Sequence, residues 1–211
     1  GTQAIISKWS AADRSGYALR LEEDGSVGLL FGDGTDETNV RTGASIPVYL
    51  RSEKAYPVGD PLHSSLWLLA AATFDATTGI ASVYQLPHTV WPDHPAAGTA
   101  SIETGAHAVA DNNLSLRIAA TPGLSDAATS EHFNGKIEAP RIYDRALTAD
   151  EIAGLLQGQI PAAPVAAWDF SRRIQTRQIE DTSGNELHGH TRQLPKRAVT
   201  GHNWDGTEMD F

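Results

Sequence analysis

Residues 133–152 read Phe133-Asn134-Gly135-Lys136-Ile137-Glu138-Ala139-Pro140-Arg141-Ile142-Tyr143-Asp144-Arg145-Ala146-Leu147-Thr148-Ala149-Asp150-Glu151-Ile152, a strand-like run that leads into a helix start. Thr148 is followed three residues later by Glu151, the spacing of a capping box, in which hydroxyl and carboxylate each satisfy a backbone N–H of the first turn. Ile152, Leu155 and Leu156 then share one face, and Gly158 supplies a terminator. The spacing predicts one short amphipathic helix over Thr148–Gln157. Upstream, Phe133 to Tyr143 reads as a late β-strand. Pro140 marks it as an edge or a bulge, because proline has no N–H to give to a ladder.

The rest of the chain is written in strand periods. Tyr17, Leu19 and Leu21 alternate with Ala18, Arg20 and Glu22, and the alternation resumes with Val27, Leu29 and Phe31 after a turn at Glu23 to Gly25, which predicts a hairpin. Leu66 to Phe74 is apolar on both sides, the pattern of a strand in the middle of a sandwich. Asp75 to Gly79 then reverses the chain into Ile80 to Leu86, and Leu114, Leu116 and Ile118 mark a further strand. Turns this short predict antiparallel pairing throughout.

Composition narrows the class. A chain of 211 residues is most simply one all-β domain, or one domain with a piece of another, and buries a sizeable core without staples. The absence of cysteine removes disulfides and thiolate chemistry and allows a reducing, cytoplasmic compartment. A formal charge of −10 argues against a nucleic-acid partner. The apolar run at Leu66–Phe74 is far too short to cross a bilayer, so no membrane role is expected. The chain opens Gly1-Thr2-Gln3-Ala4 and carries its one methionine at Met209, and is read as a fragment of a longer polypeptide.

The stretch at Phe133–Ile152 resembles the closing segment of laminin-G-like domains, members of the concanavalin A-like lectin/glucanase group. There a strand close to Phe-Asn-Gly-Lys-Ile-Asp-Glu-Val-Arg-Ile-Tyr precedes Asn-Arg-Ala-Leu-Ser and a helix. Gln3 to Trp9, Gly16 to Leu21 and Trp67 to Asp75 follow in the family's order, so the resemblance covers roughly residues 3–157. It implies a jelly-roll β-sandwich with one short helix. Two departures stand out: Tyr84-Gln85-Leu86-Pro87 runs into a long Pro- and His-bearing loop, and Pro140 replaces an apolar strand residue. The family's opening strands do not precede Gln3. Val165-Ala166-Ala167-Trp168-Asp169-Phe170-Ser171 and Asp181-Thr182-Ser183-Gly184-Asn185 look like that opening instead. Either a second unit begins there, or these strands complete the first in permuted order. Completion is favoured, because an unfilled sheet edge is a liability. The expected organisation is a sandwich over 1–160, then a linker and completing strands over 161–211 that lead towards a C-terminal catalytic region.

The tail carries a second resemblance. Trp168-Asp169-Phe170-Ser171, Asp181-Thr182-Ser183, Leu187-His188-Gly189 and Leu194 to Gly206 are similar to the junction in the large (beta) subunit of N,N-dimethylformamidases, where a laminin-G-like module precedes the catalytic region. The resemblance implies a parent amide hydrolase that releases dimethylamine and formate from N,N-dimethylformamide. It further implies assembly with a small subunit, and a mononuclear iron held by tyrosine and glutamate side chains beyond Phe211. No cofactor is expected within this chain. The expected partners are the rest of the parent chain and a small subunit.

The residues themselves show no assembled active site. His188 with His190, and His88 with His94, lack the helical spacing or acidic neighbour of a zinc site, and hydrogen-bonded loop histidines are the simpler reading. There is no Glu-x-Asp-x-Glu run to place two carboxylates about one glycosidic bond, and no Gly-x-Ser-x-Gly elbow. Glu22-Glu23-Asp24-Gly25 reads as a solvated turn, and the Gly32–Glu37 loop offers calcium-type oxygens without regular spacing. No catalytic or metal-binding residue is assigned. His202, Trp204 and Asp205 are candidates to touch a parent site or subunit contact, and Trp91, between His88 and His94, is a candidate to stack on a pyranose. The expected function is a non-catalytic structural and subunit-contact module. The alternative is a carbohydrate-binding, lectin-like module.

Overall fold

The computed structural model describes residues 1–43, 67–88, 97–106, 108–123, 128–193 and 195–197. They form antiparallel strands and one short helix in two compact units, one comprising 1–135 with 145–157, the other 136–144 with the residues from 158 onward. Among the described residues no helix is long and apolar enough to cross a membrane.

In the first unit the strands are β1 (Gln3–Ser7), β2 (Ser15–Leu21), β3 (Val27–Asp33), β4 (Glu37–Arg41), β5 (Leu68–Asp75), β6 (Ile80–Pro87), β7 (Gly98–Glu103), β8 (Arg117–Ile118), β9 (Thr121–Pro122) and β10 (Thr129–Ser130). One sheet runs β4-β3-β2-β1-β8, another β5-β6-β7, and β9 pairs with β10. The expected first hairpin is present, with β2 and β3 in unbroken register from Ser15↔Asp33 to Leu21↔Val27. The second closes between β5 and β6, where the Asp75 carboxylate accepts the Thr77 N–H at 2.9 Å. The Gly79 N–H donates to the Asp75 carbonyl at 2.8 Å.

Alternation puts Val27, Leu29 and Phe31 of β3 on one face, where with Val40 they meet Ala81 and Val83 of β6 and, beside them, Ala70, Ala72 and Phe74 of β5. The Phe31 and Phe74 rings lie 4.8 Å apart between centroids. Two sheets sharing an apolar interior in this way are an all-β sandwich arrangement. The opposite face of β3 is covered too, since Leu30 packs with Trp9 and Ala18.

Three expectations are corrected here. Of the Leu66–Phe74 run, in which Leu66 lies outside the described residues, Leu68–Phe74 forms a strand that is not fully buried on both faces. β5 is at an edge of its described sheet and half-buried along its length, whereas β3 and β6 have neighbours on both sides. Around Leu114–Ile118 only Arg117 and Ile118 enter a ladder. Of Phe133–Tyr143 only Arg141–Ile142 is strand. Ala139 sits at φ 46° and is followed by Pro140, so a left-handed residue and a missing donor break the extended run.

The helix α1 (Ala149–Leu155) is present as expected, and both halves of the capping box are made. The Glu151 N–H donates to Thr148 Oγ1 at 3.3 Å, and the Thr148 N–H donates to Glu151 Oε2 at 2.9 Å. Arg145 grips the same carboxylate with its two terminal guanidinium nitrogens, at 2.6 and 2.9 Å. The Arg145 contact, with the Thr148 N–H behind it, holds the Glu151 carboxyl down at about 2. Leu147 and Ile152 are buried, Leu155 and Leu156 half-buried, and Gly158 turns the chain at φ 72°. Thr148→Ala removes one half of the box, and urea denaturation is expected to show a loss of about 1 kcal/mol.

The described residues of the second unit form a four-stranded sheet ordered β11 (Arg141–Ile142), β12 (Ala166–Asp169), β13 (Gln178–Asp181), β14 (Gly189–His190). Arg141 pairs with Ala167 and Ile142 with Ala166. Among the described residues β11 lies at the edge of this sheet, in keeping with the edge or bulge expected from Pro140. The proline carbonyl still accepts the Trp168 N–H at 3.1 Å.

Candidate functional site

Trp91, His94, His202, Trp204 and Asp205 lie outside the described residues, so the candidate ligand-binding set is not placed. His88 is described without its sequence partner His94. His188 and His190 both fall in the second unit. The Asp181 N–H donates to His188 Nδ1 at 3.1 Å, which makes that nitrogen the unprotonated one, and His190 is an exposed residue of β14 paired with Gln178.

The acidic loop between β3 and β4 is organised by its own backbone. Asp33 Oδ1 accepts the N–H groups of Thr35 and Asp36, both at 2.8 Å. Those bonds, Asp36 foremost, hold the Asp33 carboxyl below the usual range. Beside the loop is a shallow cavity of about 210 Å³ lined by Phe31, Asp33, Asp36, Thr38, Thr104 and Ala106 among others. That is below the roughly 300–1,000 Å³ of small-molecule pockets. Among the described residues no group of three or more His, Asp or Glu is placed to hold a metal ion.

The sequence reading missed an ionic cluster among the described residues of the first unit. Glu22, expected in a solvated turn, is 3 % exposed. Its Oε1 accepts Arg20 Nε at 2.8 Å and Asn39 Nδ2 at 3.1 Å, while Arg41 lies 3.6 Å from Oε2. Room for the carboxylate comes from Gly28 on the adjacent strand, where a Cβ would sit 2.4 Å from Glu22 Oε1. Arg20, Asn39 and Arg41 arrive from β2 and β4, so only the strand register reveals the site. The single signal in the sequence was a glycine interrupting an apolar strand.

In the second unit Asp181 plays the comparable part. Its Oδ1 accepts the Ala167 and Ser183 N–H groups at 3.0 and 2.9 Å. Its Oδ2 accepts the Leu187 N–H at 2.9 Å and the Ser183 hydroxyl at 2.8 Å. Burial acts to raise its pKa, but the donations of Ala167, Ser183 and Leu187 outweigh that and bring it down to about 2. The Trp168 indole N–H meets the Leu187 carbonyl at 2.8 Å, and Asn185 Nδ2 meets the Val165 carbonyl at 2.9 Å. The Asp181-Thr182-Ser183-Gly184-Asn185 motif is thus a turn fastened onto β12. Like Glu22, Asp181 spends its lone pairs on protein donors, which suits a structural carboxylate and not a base waiting for substrate.

No protein-family model matches the chain. Two curated proteins align along its whole length, both named N,N-dimethylformamidase beta subunit. One, from Alcaligenes sp, is 34 % identical over 226 residues, covering 100 % of this chain and 28 % of the relative. The other, from Paracoccus aminophilus, is 30 % identical over 237 residues, again covering 100 % of this chain and 28 % of the relative. The chain therefore spans a little over a quarter of the length of the curated relatives it matches.

Proposed function

We propose that this chain is a non-catalytic, structural part of the large subunit of a dimethylformamidase-like amide hydrolase, folded as a concanavalin A-like, laminin-G-like jelly roll. The observation that supports it is the similarity along the full chain to two dimethylformamidase beta subunits, each several times longer. The engagement of Glu22 and Asp181 by internal donors agrees with a structural role. In this reading residues 161–211 complete the jelly roll and lead on to the catalytic part of the polypeptide, and the partners are that part and a small subunit. Residence in the cytoplasm accords with a chain free of cysteine. The resemblance implies an iron held by tyrosine and glutamate side chains beyond Phe211. Iron, and the hydrolysis it serves, are assigned to the remainder of the parent. The comparisons lend no support to a lectin role.

Expressing this chain with an affinity tag, alongside the remainder of the polypeptide as a separate piece, tests the reading. Recovery of the remainder with the tagged chain is the expected result. A folded chain that leaves the remainder behind and binds glycans in a panel would replace this reading with the lectin-like one.

A further inference from the structure

The most unusual local feature outside the clusters above is the surroundings of Arg197. Its Nε donates to the Phe170 carbonyl at 2.9 Å. Its Nη1 lies 3.3, 3.0 and 3.3 Å from the carbonyls of Arg173, Thr176 and Gln178. Its Nη2 donates to the Arg172 carbonyl. One guanidinium thus meets five backbone carbonyls, four from the loop between β12 and β13 and one from Gln178, the first residue of β13. The acids beside this loop are already engaged, Asp169 by Arg172 and Glu180 by Arg172 and Arg173.

Several carbonyl dipoles pointed at one spot repel one another unless a cation sits among them. The loop also accepts a strained residue to build this arrangement, since Arg173 is at φ 46°. Its carbonyl is turned inward, where it also accepts the Thr176 N–H at 2.9 Å and the Thr176 hydroxyl at 3.0 Å. The guanidinium is planar and has five N–H donors, of which the two on Nη1 are shared among three carbonyls and one on Nη2 goes to a fourth, whereas an ammonium has three donors and no plane.

We propose that the loop of residues 170–178 is a guanidinium-binding cage, a latch whose built-in ligand is the side chain of Arg197. The cage selects for a planar guanidinium and not for positive charge alone. Emptied of Arg197, it takes a small free guanidinium from solution.

The test is amide hydrogen exchange in the full 211-residue chain, read at Thr176, with the Leu187 amide, which donates to Asp181 Oδ2 in the same unit, as the folding control. In Arg197→Ala, and likewise in Arg197→Lys, protection at Thr176 is expected to fall about tenfold or more while Leu187 is unchanged. Millimolar methylguanidinium is expected to restore protection in Arg197→Ala, and methylammonium, potassium or calcium at the same concentration to leave it low. Three results would each overturn the proposal: unchanged protection in both variants, full protection in Arg197→Lys, or restoration by methylammonium or a metal ion as well as by methylguanidinium.

Discussion

Glu22→Ala is expected to lower the free energy of unfolding by about 3–5 kcal/mol, the range for breaking a buried ion pair by removing one partner. The loss comes less from the absent attraction than from what stays behind. The Arg20 side chain is 14 % exposed and would keep its charge without a counter-ion, and the Asn39 amide would lose its acceptor. Arg41 is 48 % exposed and can turn to water, so Arg41→Ala should cost no more than about 1 kcal/mol. Glu22→Gln keeps an acceptor oxygen and the shape, and should fall between the two. Urea denaturation of the single variants and of the Glu22→Ala, Arg20→Ala pair settles it. Additive effects, with no coupling between the two sites, would mean that the pair is an ornament of the fold.

Asp181→Ala is expected to be about as damaging, at roughly 3–5 kcal/mol, because it leaves several backbone donors in and around the β13–β14 turn without an acceptor, each worth about 1–3 kcal/mol if buried. Loss of the turn should register at Trp168, whose indole N–H is bonded to the Leu187 carbonyl, as a change in tryptophan fluorescence. Asp181 also contributes pH dependence. Its folded pKa of about 2 is below the unfolded value of about 4, so the folded state favours the ionised form. The stabilisation is therefore fully present above about pH 4 and is lost as the pH falls towards 2. Glu151, also held down at about 2, acts in the same direction. Denaturation curves between pH 6 and pH 2 are expected to show a steep loss in the native chain and a shallower one in Asp181→Asn. Parallel pH profiles for the two would contradict this assignment.

Local signals in the sequence were read faithfully by the fold. The Thr148 and Glu151 capping box, the β2–β3 alternation and the Asp75–Gly79 reversal each depend on residues within a few positions of one another, and each is present. What was illegible depends on partners far along the chain. Glu22 looked solvated because its burial needs β4 to bring Asn39 and Arg41 alongside it. The Leu66–Phe74 run looked doubly buried because apolar content does not reveal position within a sheet, and a strand at the edge of the described sheet reads the same as a central one. The Phe133–Tyr143 run failed as a strand because a positive φ at Ala139 is not marked by a glycine. Of the candidate site residues, Trp91, His202, Trp204 and Asp205 lie outside the described residues, and the described histidine pair is drawn into the Asp181 turn at His188.

In the proposed function this chain supports an amide hydrolase without performing the chemistry. The measurement closest to it is dimethylamine release from N,N-dimethylformamide by the purified 211-residue chain and by the whole parent polypeptide with its partners, assayed side by side after iron supplementation. Release by the parent alone is the predicted result. Release by the isolated chain would contradict the non-catalytic reading, and an iron-loaded parent that leaves N,N-dimethylformamide intact would contradict the assigned activity.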